Sequence, residues 1–483
     1  MQQSDKGIPG LVVAGLCGGS GKTVISLGIA AAWKQKNHRV APFKKGPDYI
    51  DAGWLACAAG RPCYNLDTYL CDDADVLASF FQNSHSSDIS LVEGNRGLFD
   101  GIDTDGKTST AELAKLLNLP VLLVIDCTKT TRTVAALLKG CITFDPGVNI
   151  IGVVLNRVAG KRHEKKLRDN ILRYCNVPVY GSVPKLVQQD FPERHMGLVT
   201  SEEHGCSAGS IETVSNVARE NIDLESLFDD CRSFTLENPR LPGKAKNPAV
   251  GSSESEKPCE KYFDKPVIGI IKDSAFQFYY PDNIEALVAA GADIRYISPL
   301  KQKTIPRVDA IYMGGGFPET HAPELSANVE FKAELKRLAD KGLPIYAECG
   351  GFIFLGNSIC VDGITYPMAG ILPVSFGFEK RPVGHGYTRV KVTGENPFYP
   401  VGSVIKGHEF RYSSVLKIDC SPGDMAFSME RGKGIKDKKD GFCRNNVFAT
   451  YTHIHALGTP FWAEALVGKA SDFKTRNTTL PDD

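Results

Sequence analysis

The first half of the chain alternates short, apolar, β-rich runs with longer stretches of helical periodicity. Strands are predicted at Leu11–Gly15, Arg39–Phe43, Ile89–Glu93, Val121–Asp126, Ile150–Asn156 and Pro178–Val183. Helices are predicted between them at Thr23–Lys36, Asp73–Gln82, Thr110–Leu117, Thr131–Thr143 and Arg162–Cys175. The strands are apolar on both faces, and such strands separated by helices form a parallel sheet covered on both sides. From Glu237 to Pro266 the pattern fades into Pro, Ser, Lys and Glu, a composition that cannot bury a core and reads as a linker. Alternation resumes at Val267–Ile271, Asp293–Ile297, Asp309–Met313 and Leu343–Ala347, followed by Gly-rich, strand-like segments and a polar tail from Ser471. The expected organisation is a doubly wound α/β domain over residues 1–236, a linker over 237–266, a second α/β domain over 267–470 and a tail over 471–483.

Composition narrows this picture in three ways. Lys+Arg and Asp+Glu are equal at 56 each, so no net field draws the chain to nucleic acid or an anionic membrane. No run approaches the ~20 apolar residues of a membrane span, and the polar Met1–Pro9 is unlike a signal peptide. The 14 cysteines are scattered without a CxxC pair, the usage expected of a reduced, cytoplasmic protein. The basic run Lys433–Lys439 is read as a solvated loop.

Two places carry candidate chemistry. After the first strand, Gly15-Leu16-Cys17-Gly18-Gly19-Ser20-Gly21-Lys22-Thr23 leads into a helix. A Gly-rich strand–helix turn of this kind offers backbone N–H groups from Gly18, Gly19, Ser20 and Gly21 to phosphate oxygens; Lys22 reaches the terminal phosphates and Thr23 a Mg²⁺ ion. The strict pattern wants Gly at position 16, where this chain has Leu. Asp48 and Glu93 follow later strands beside glycines, where the loops of a doubly wound sheet face the ligand crevice, and a hard Mg²⁺ takes one or two such carboxylates.

The second place is Cys349, between the apolar run Leu343–Ala347 and a helix opened by Gly350-Gly351. A strand–turn–helix elbow lifts a nucleophile above the sheet, and a helix N-terminus favours an anion there. The base for such a thiol must come from a distant segment, and Thr452-His453-Ile454-His455 offers two histidines. Gly315, Gly316 and Gly350 follow strands and are placed to donate N–H groups to an oxyanion.

The segments SGKT (20–23), PFKKGPDYID (42–51), GRPCYNLDTYL (60–70), EGNRGLFDG (93–101), GVVLNRV (152–158), YMGGGFPE (312–319), YAECGG (346–351) and YTHIH (451–455) together resemble the cobyrinic acid a,c-diamide synthase family. The resemblance spans nearly the whole chain in family order. It implies a P-loop domain of the dethiobiotin synthetase type followed by a class I glutamine amidotransferase domain. It implies ATP-dependent activation of a carboxylate on a tetrapyrrole polycarboxylate and its amidation by ammonia from L-glutamine; a homodimer is compatible with it. By the resemblance Lys44 stabilises the transferring phosphoryl group, Asn156 reads the adenine edge, and Tyr49, Asp51 and Asp100 line the tetrapyrrole pocket or position ammonia. It also selects His453 as the catalytic base.

The chain departs from the family at Lys45, often Val, and at Asn95-Arg96, often two apolar residues. The added cations leave the ring open, because relatives act on nickel-sirohydrochlorin or are proposed to act on sirohaem. Most class I amidotransferases carry an acid two residues after the histidine; His455 stands there instead, so no third triad member is named. A different class also stays open, a non-catalytic, MinD-like nucleotide switch with an inert amidotransferase domain. The missing extra Lys at Cys17 and the Cys349/His453 pair count against it.

Overall fold

The computed structural model describes residues 8–186, 193–194, 197–198, 208–236 and 265–478, so most of the expected linker lies outside the described residues. The chain divides into two compact units, Met1–Glu254 and Ser255–Asp483.

The first unit alternates strand and helix: β1 Ile8–Gly15, α1 Lys22–Gln35, β2 Val40–Lys45, α2 Ile50–Ala59, β3 Tyr64–Leu66, α3 Asp73–Ser84, β4 Ile89–Glu93, α4 Thr110–Leu116, β5 Val121–Asp126, α5 Arg132–Phe144, β6 Ile150–Val158, α6 Lys161–Tyr174 and β7 Val179–Pro184. Two further helices follow, α7 Ala208–Asn221 and α8 Leu224–Arg232. The strands run parallel in the order β3-β2-β4-β1-β5-β6-β7. Leu11, Val12 and Val13 on β1 and Val121 through Ile125 on β5 are fully buried, as strands covered on both faces require. Helix α1 lies close against α7: a Cβ added at Gly28 would stand 2.7 Å from the Val214 carbonyl oxygen. The chain leaves β1 toward β2 on one side and crosses from β4 to β5 on the other. The loops after β1, β2 and β4 therefore meet at a topological switch point, where ligands of such sheets bind.

Two differences from the sequence reading bear on the site. Strand β2 runs two residues beyond Phe43, so Lys44 and Lys45 are strand residues, both buried, and point to opposite sheet faces. Helix α2 was not foreseen because IDAGWLACAA is apolar around most of its circumference and shows no 3.6-residue stripe. Eleven of the described cysteines are free thiols.

In the second unit five parallel strands, Asp293–Ile297, Val267–Ile271, Ala310–Met313, Ile345–Glu348 and Val447–Thr450, continue into the antiparallel strands Lys439–Arg444, Met425–Arg431, Gly384–Val392 and Val404–Arg411. The last of these pairs with His453–Ile454, three residues after the central strand Val447–Thr450 ends. The antiparallel half thus curls back on the sheet's centre and brings Val404–Arg411 beside the histidine segment. The run 471–478, read as tail, is helical: Phe461–Thr478 buries Trp462, Leu466, Ala470 and Phe473 along one stripe. Among the described residues no helix is long and apolar enough to cross a membrane.

Candidate active sites

The glycine-rich turn of the first unit is shaped by its backbone. Gly19 and Gly21 have φ of 74° and 90°, which only glycine adopts without strain. A Cβ at Gly18 or Gly19 would meet nothing within 4 Å, so this rim of the loop is open. Inside, Lys22 Nζ donates to the Cys17 carbonyl at 3.1 Å. Asn156 Nδ2 donates to the Ser20 carbonyl at 2.9 Å, and a Cβ on Gly21 would lie 2.1 Å from that nitrogen. Asn156 thus braces the loop in this structure.

Strand register brings the charged residues together, for Lys44 is paired with Glu93 and Glu93 with Val13. Lys44 Nζ lies 2.7 Å from Asp51 Oδ2, 2.9 Å from Glu93 Oε1 and 3.8 Å from Asp48 Oδ2. Thr23 Oγ1 donates to Glu93 at 2.8 Å and reaches Asp51 at 3.4 Å. Burial works against the Lys44 charge, but Asp51, Glu93 and Asp48 outweigh it and hold the ammonium well above the usual lysine range. Asp51 is held low because Lys44 overcomes its burial, whereas burial pushes Glu93 up. Burial, and then repulsion from Asp51, pushes Asp48 to about 7. Lys22 is lowered by burial and by Lys44.

Three carboxylates around one buried lysine leave negative charge for a cation to offset. Glu93 Oε2 is buried without a hydrogen-bond partner among the described residues, and the donors at hand are all hard oxygens. This set fits Mg²⁺. Among the described residues no three His, Cys, Asp or Glu side chains form a ready-made metal cage; nucleotide oxygens and water complete a magnesium shell. The structure places Asp51, expected in the ring pocket, inside this cluster. Tyr49 flanks the start of α2, and Asp100 is an exposed turn residue whose Oδ2 accepts from Gly97 N–H at 2.9 Å.

In the second unit Cys349 joins the strand Ile345–Glu348 to the helix Gly350–Leu355 with φ of 44°, a strained geometry for a residue with a Cβ. His453, nearly fully buried, is hydrogen-bonded to Cys349 and, through Nδ1, to Glu348 Oε2 at 3.2 Å. Burial disfavours its charge, but Cys349 and Glu348 together raise the imidazole to about 10. Glu348 is fully buried, and Ile454 N–H, Tyr312 Oη and Tyr346 Oη also donate to it. A Cβ on Gly350 would come within 2.9 Å of Gly316 N, so the Cys349 turn packs closely against the Gly315-Gly316 turn. A Cβ on Gly315 would press to 2.6 Å from His453 Cε1, so glycine there leaves room for the ring.

Each unit matches a known domain family. A nucleotide-binding domain family described as CobQ/CobB/MinD/ParA matches residues 11–199, and a CobB/CobQ-like glutamine amidotransferase domain matches residues 267–461. The cobyrinate a,c-diamide synthase of Magnetococcus marinus is 40% identical over 465 residues, covering 95% of this chain and 96% of that protein. The protein of the same name from Syntrophotalea carbinolica is 36% identical, covering 95% and 98%. That from Methanosarcina barkeri is 35% identical, covering 98% of each chain. The chain belongs to the cobyrinate a,c-diamide synthase family. It is a carbon–nitrogen ligase that uses glutamine as amido donor.

In this cobyrinate a,c-diamide synthase family member, the sequence reading passed over two acids. Glu348 immediately precedes Cys349, and its signal is a carboxylate closing an otherwise apolar strand. Asp440, fully buried, accepts from Thr450 Oγ1, Tyr451 N, and Thr452 N and Oγ1 at 2.8–3.1 Å, so it anchors the segment that carries His453. His455 is no orienting partner of the base. It is fully buried, packs at a tilt against Tyr280 with ring centroids 4.6 Å apart and lies 3.4 Å from Asp282.

Buried His408 makes stability depend on pH. Burial, then His453 and His455, hold it well below its usual range, so the folded chain keeps it neutral. The unfolded chain takes up that proton below about pH 6.5, and stability falls as pH drops through that value, by at most about 1.4 kcal/mol per pH unit. Thermal unfolding between pH 7.5 and 5 is expected to show a steeper loss in wild type than in His408→Phe. Equal slopes would contradict a neutral buried His408.

Proposed function

We propose that the chain amidates carboxylates of a modified tetrapyrrole, the a and c carboxylates of cobyrinic acid or those of a close relative of that ring, in the cytoplasm. ATP phosphorylates the carboxylate, ammonia released from glutamine attacks the acyl phosphate, and phosphate leaves. The observation that carries this reading is that one chain holds both a carboxylate–lysine cluster on a phosphate loop and a Glu348–His453–Cys349 constellation at a strained elbow.

In the glutaminase, His453 takes the Cys349 proton, the sulfur attacks the glutamine side-chain amide, and Gly316 and Gly350 N–H groups meet the oxyanion. The imidazolium then gives its proton to the leaving ammonia, while Glu348 keeps the ring oriented and stabilises its charge. Water hydrolyses the thioester to glutamate. In the synthetase, Gly18 to Gly21 and Lys22 cradle the triphosphate, and Lys44 stabilises charge on the transferring phosphoryl group. Thr23, Glu93 and Asp48, with Asp51 beside them, would hold Mg²⁺, which supplies charge neutralisation on the phosphate oxygens. Tyr49 and Asp100 stay assigned to the ring side of the crevice.

Glu348→Gln keeps the shape and removes the charge. Glutaminase kcat is expected to drop by about 10²–10⁴-fold, while amidation with free ammonium persists. Full glutaminase activity in that variant would remove Glu348 from the triad. The ring is tested by incubation with ATP, Mg²⁺, glutamine and, separately, cobyrinic acid, sirohydrochlorin and sirohaem. Mass spectrometry should show one or two carboxyl-to-amide exchanges on one of them; none on any ring would overturn the substrate class.

A further inference from the structure

His408 has no part in glutamine hydrolysis as set out above, yet it is built against the base. It lies on Val404–Arg411, in register with His453 across an antiparallel pair. The two imidazoles stack at 4.9 Å between centroids, their planes only 15° apart. Tyr280 Oη stands 2.8 Å from His408 Nε2, and both residues are buried. The strand is pressed onto the catalytic segment: a Cβ on Gly407 would come within 2.4 Å of the His453 carbonyl oxygen.

The base needs such support. The χ2 torsion of a histidine is broad, so an imidazole whose faces are not packed swings out of any one plane. His453 must keep one nitrogen on Glu348 and the other on Cys349 through two proton transfers. Glu348 contacts only the ring's edge, at 3.2 Å, and fixes a direction rather than a plane. His408 is stacked on the ring's face.

We propose that His408 is a positioning residue of the glutaminase: its ring, held by Tyr280, fixes the plane of the His453 imidazole. The inference rests on the reading of Cys349 and His453 as nucleophile and base. The supporting ring must also be neutral, because a second cation stacked on protonated His453 would repel it, and burial keeps His408 uncharged.

Three variants test this by steady-state glutamine hydrolysis. His408→Leu fills the space without a flat ring and is expected to lower kcat by about 10- to 100-fold, with KM for glutamine little changed. His408→Phe restores the flat ring and should recover most of that loss. Tyr280→Phe, which removes only a hydroxyl, should lower kcat less than His408→Leu. Wild-type kcat in His408→Leu would overturn the proposal, as would a folded His408→Phe as impaired as His408→Leu. Where His408→Leu fails to fold, unchanged kcat in Tyr280→Phe would overturn it. A wild-type chain without glutaminase activity would sink the underlying reading instead, and is recognised by that control alone.

Discussion

Cys349→Ala is expected to abolish glutamine-dependent amidation while leaving amidation with free ammonium intact. On the proposed reading the Cys349 sulfur forms the acyl intermediate, and His453 and Glu348, which act on its proton, are left with no substitute nucleophile to activate. Removing a nucleophile from such a constellation costs about 10⁴-fold or more. Alanine also relieves no packing problem, since Cys349 is a small buried residue at a strained turn. Parallel assays with glutamine and with ammonium chloride check this. A folded variant that loses both activities would break the division of labour between the units, and one that keeps both would remove Cys349 from the chemistry.

Lys44→Met is expected to have the opposite signature, with amidation lost for both nitrogen sources and glutamine hydrolysis kept. Lys44 is 2% exposed and sits between Asp51 and Glu93. Removing a preorganised cation from a transferring phosphoryl group costs about 10²–10³-fold. Leaving the carboxylates uncompensated also destabilises the unit by about 3–5 kcal/mol. Thermal unfolding with and without Mg²⁺ separates the two effects, because the ion should restore part of the lost stability. Undiminished amidation in Lys44→Met would refute the assignment of the phosphoryl site.

Part of the proposed site is legible in the sequence. The β1 loop, Lys22, Thr23 and Glu93 are proposed for phosphate and metal because such a site needs glycines, a lysine and an acid in fixed order, and that order is written locally. Cys349 is singled out by its elbow, and the family resemblance picks His453 from the histidine pair. What escaped depended on tertiary pairing. Glu348 reads as one acid at a strand end until the fold brings His453 to within 3.2 Å of it. Asp51 lies in the first turn of α2, and the turn after β2 folds it back on Lys44, a return that no local pattern encodes. His408 lies 45 residues before His453, and only the curl of the antiparallel strands joins them. Helix Phe461–Thr478 is not foreseen at all: its first half reads as strand-like, and in its second half buried positions such as Phe473 are separated by polar residues that resemble a tail.

The most direct test of the central claim follows the nitrogen. The wild-type chain is incubated with ATP, Mg²⁺, a tetrapyrrole polycarboxylate and glutamine carrying heavy nitrogen at its side-chain amide. The account predicts heavy nitrogen in the ring's new amide, with ADP and phosphate formed in step with it. Glutamine hydrolysed and ATP cleaved, with no label in cobyrinic acid, sirohydrochlorin or sirohaem, would contradict it.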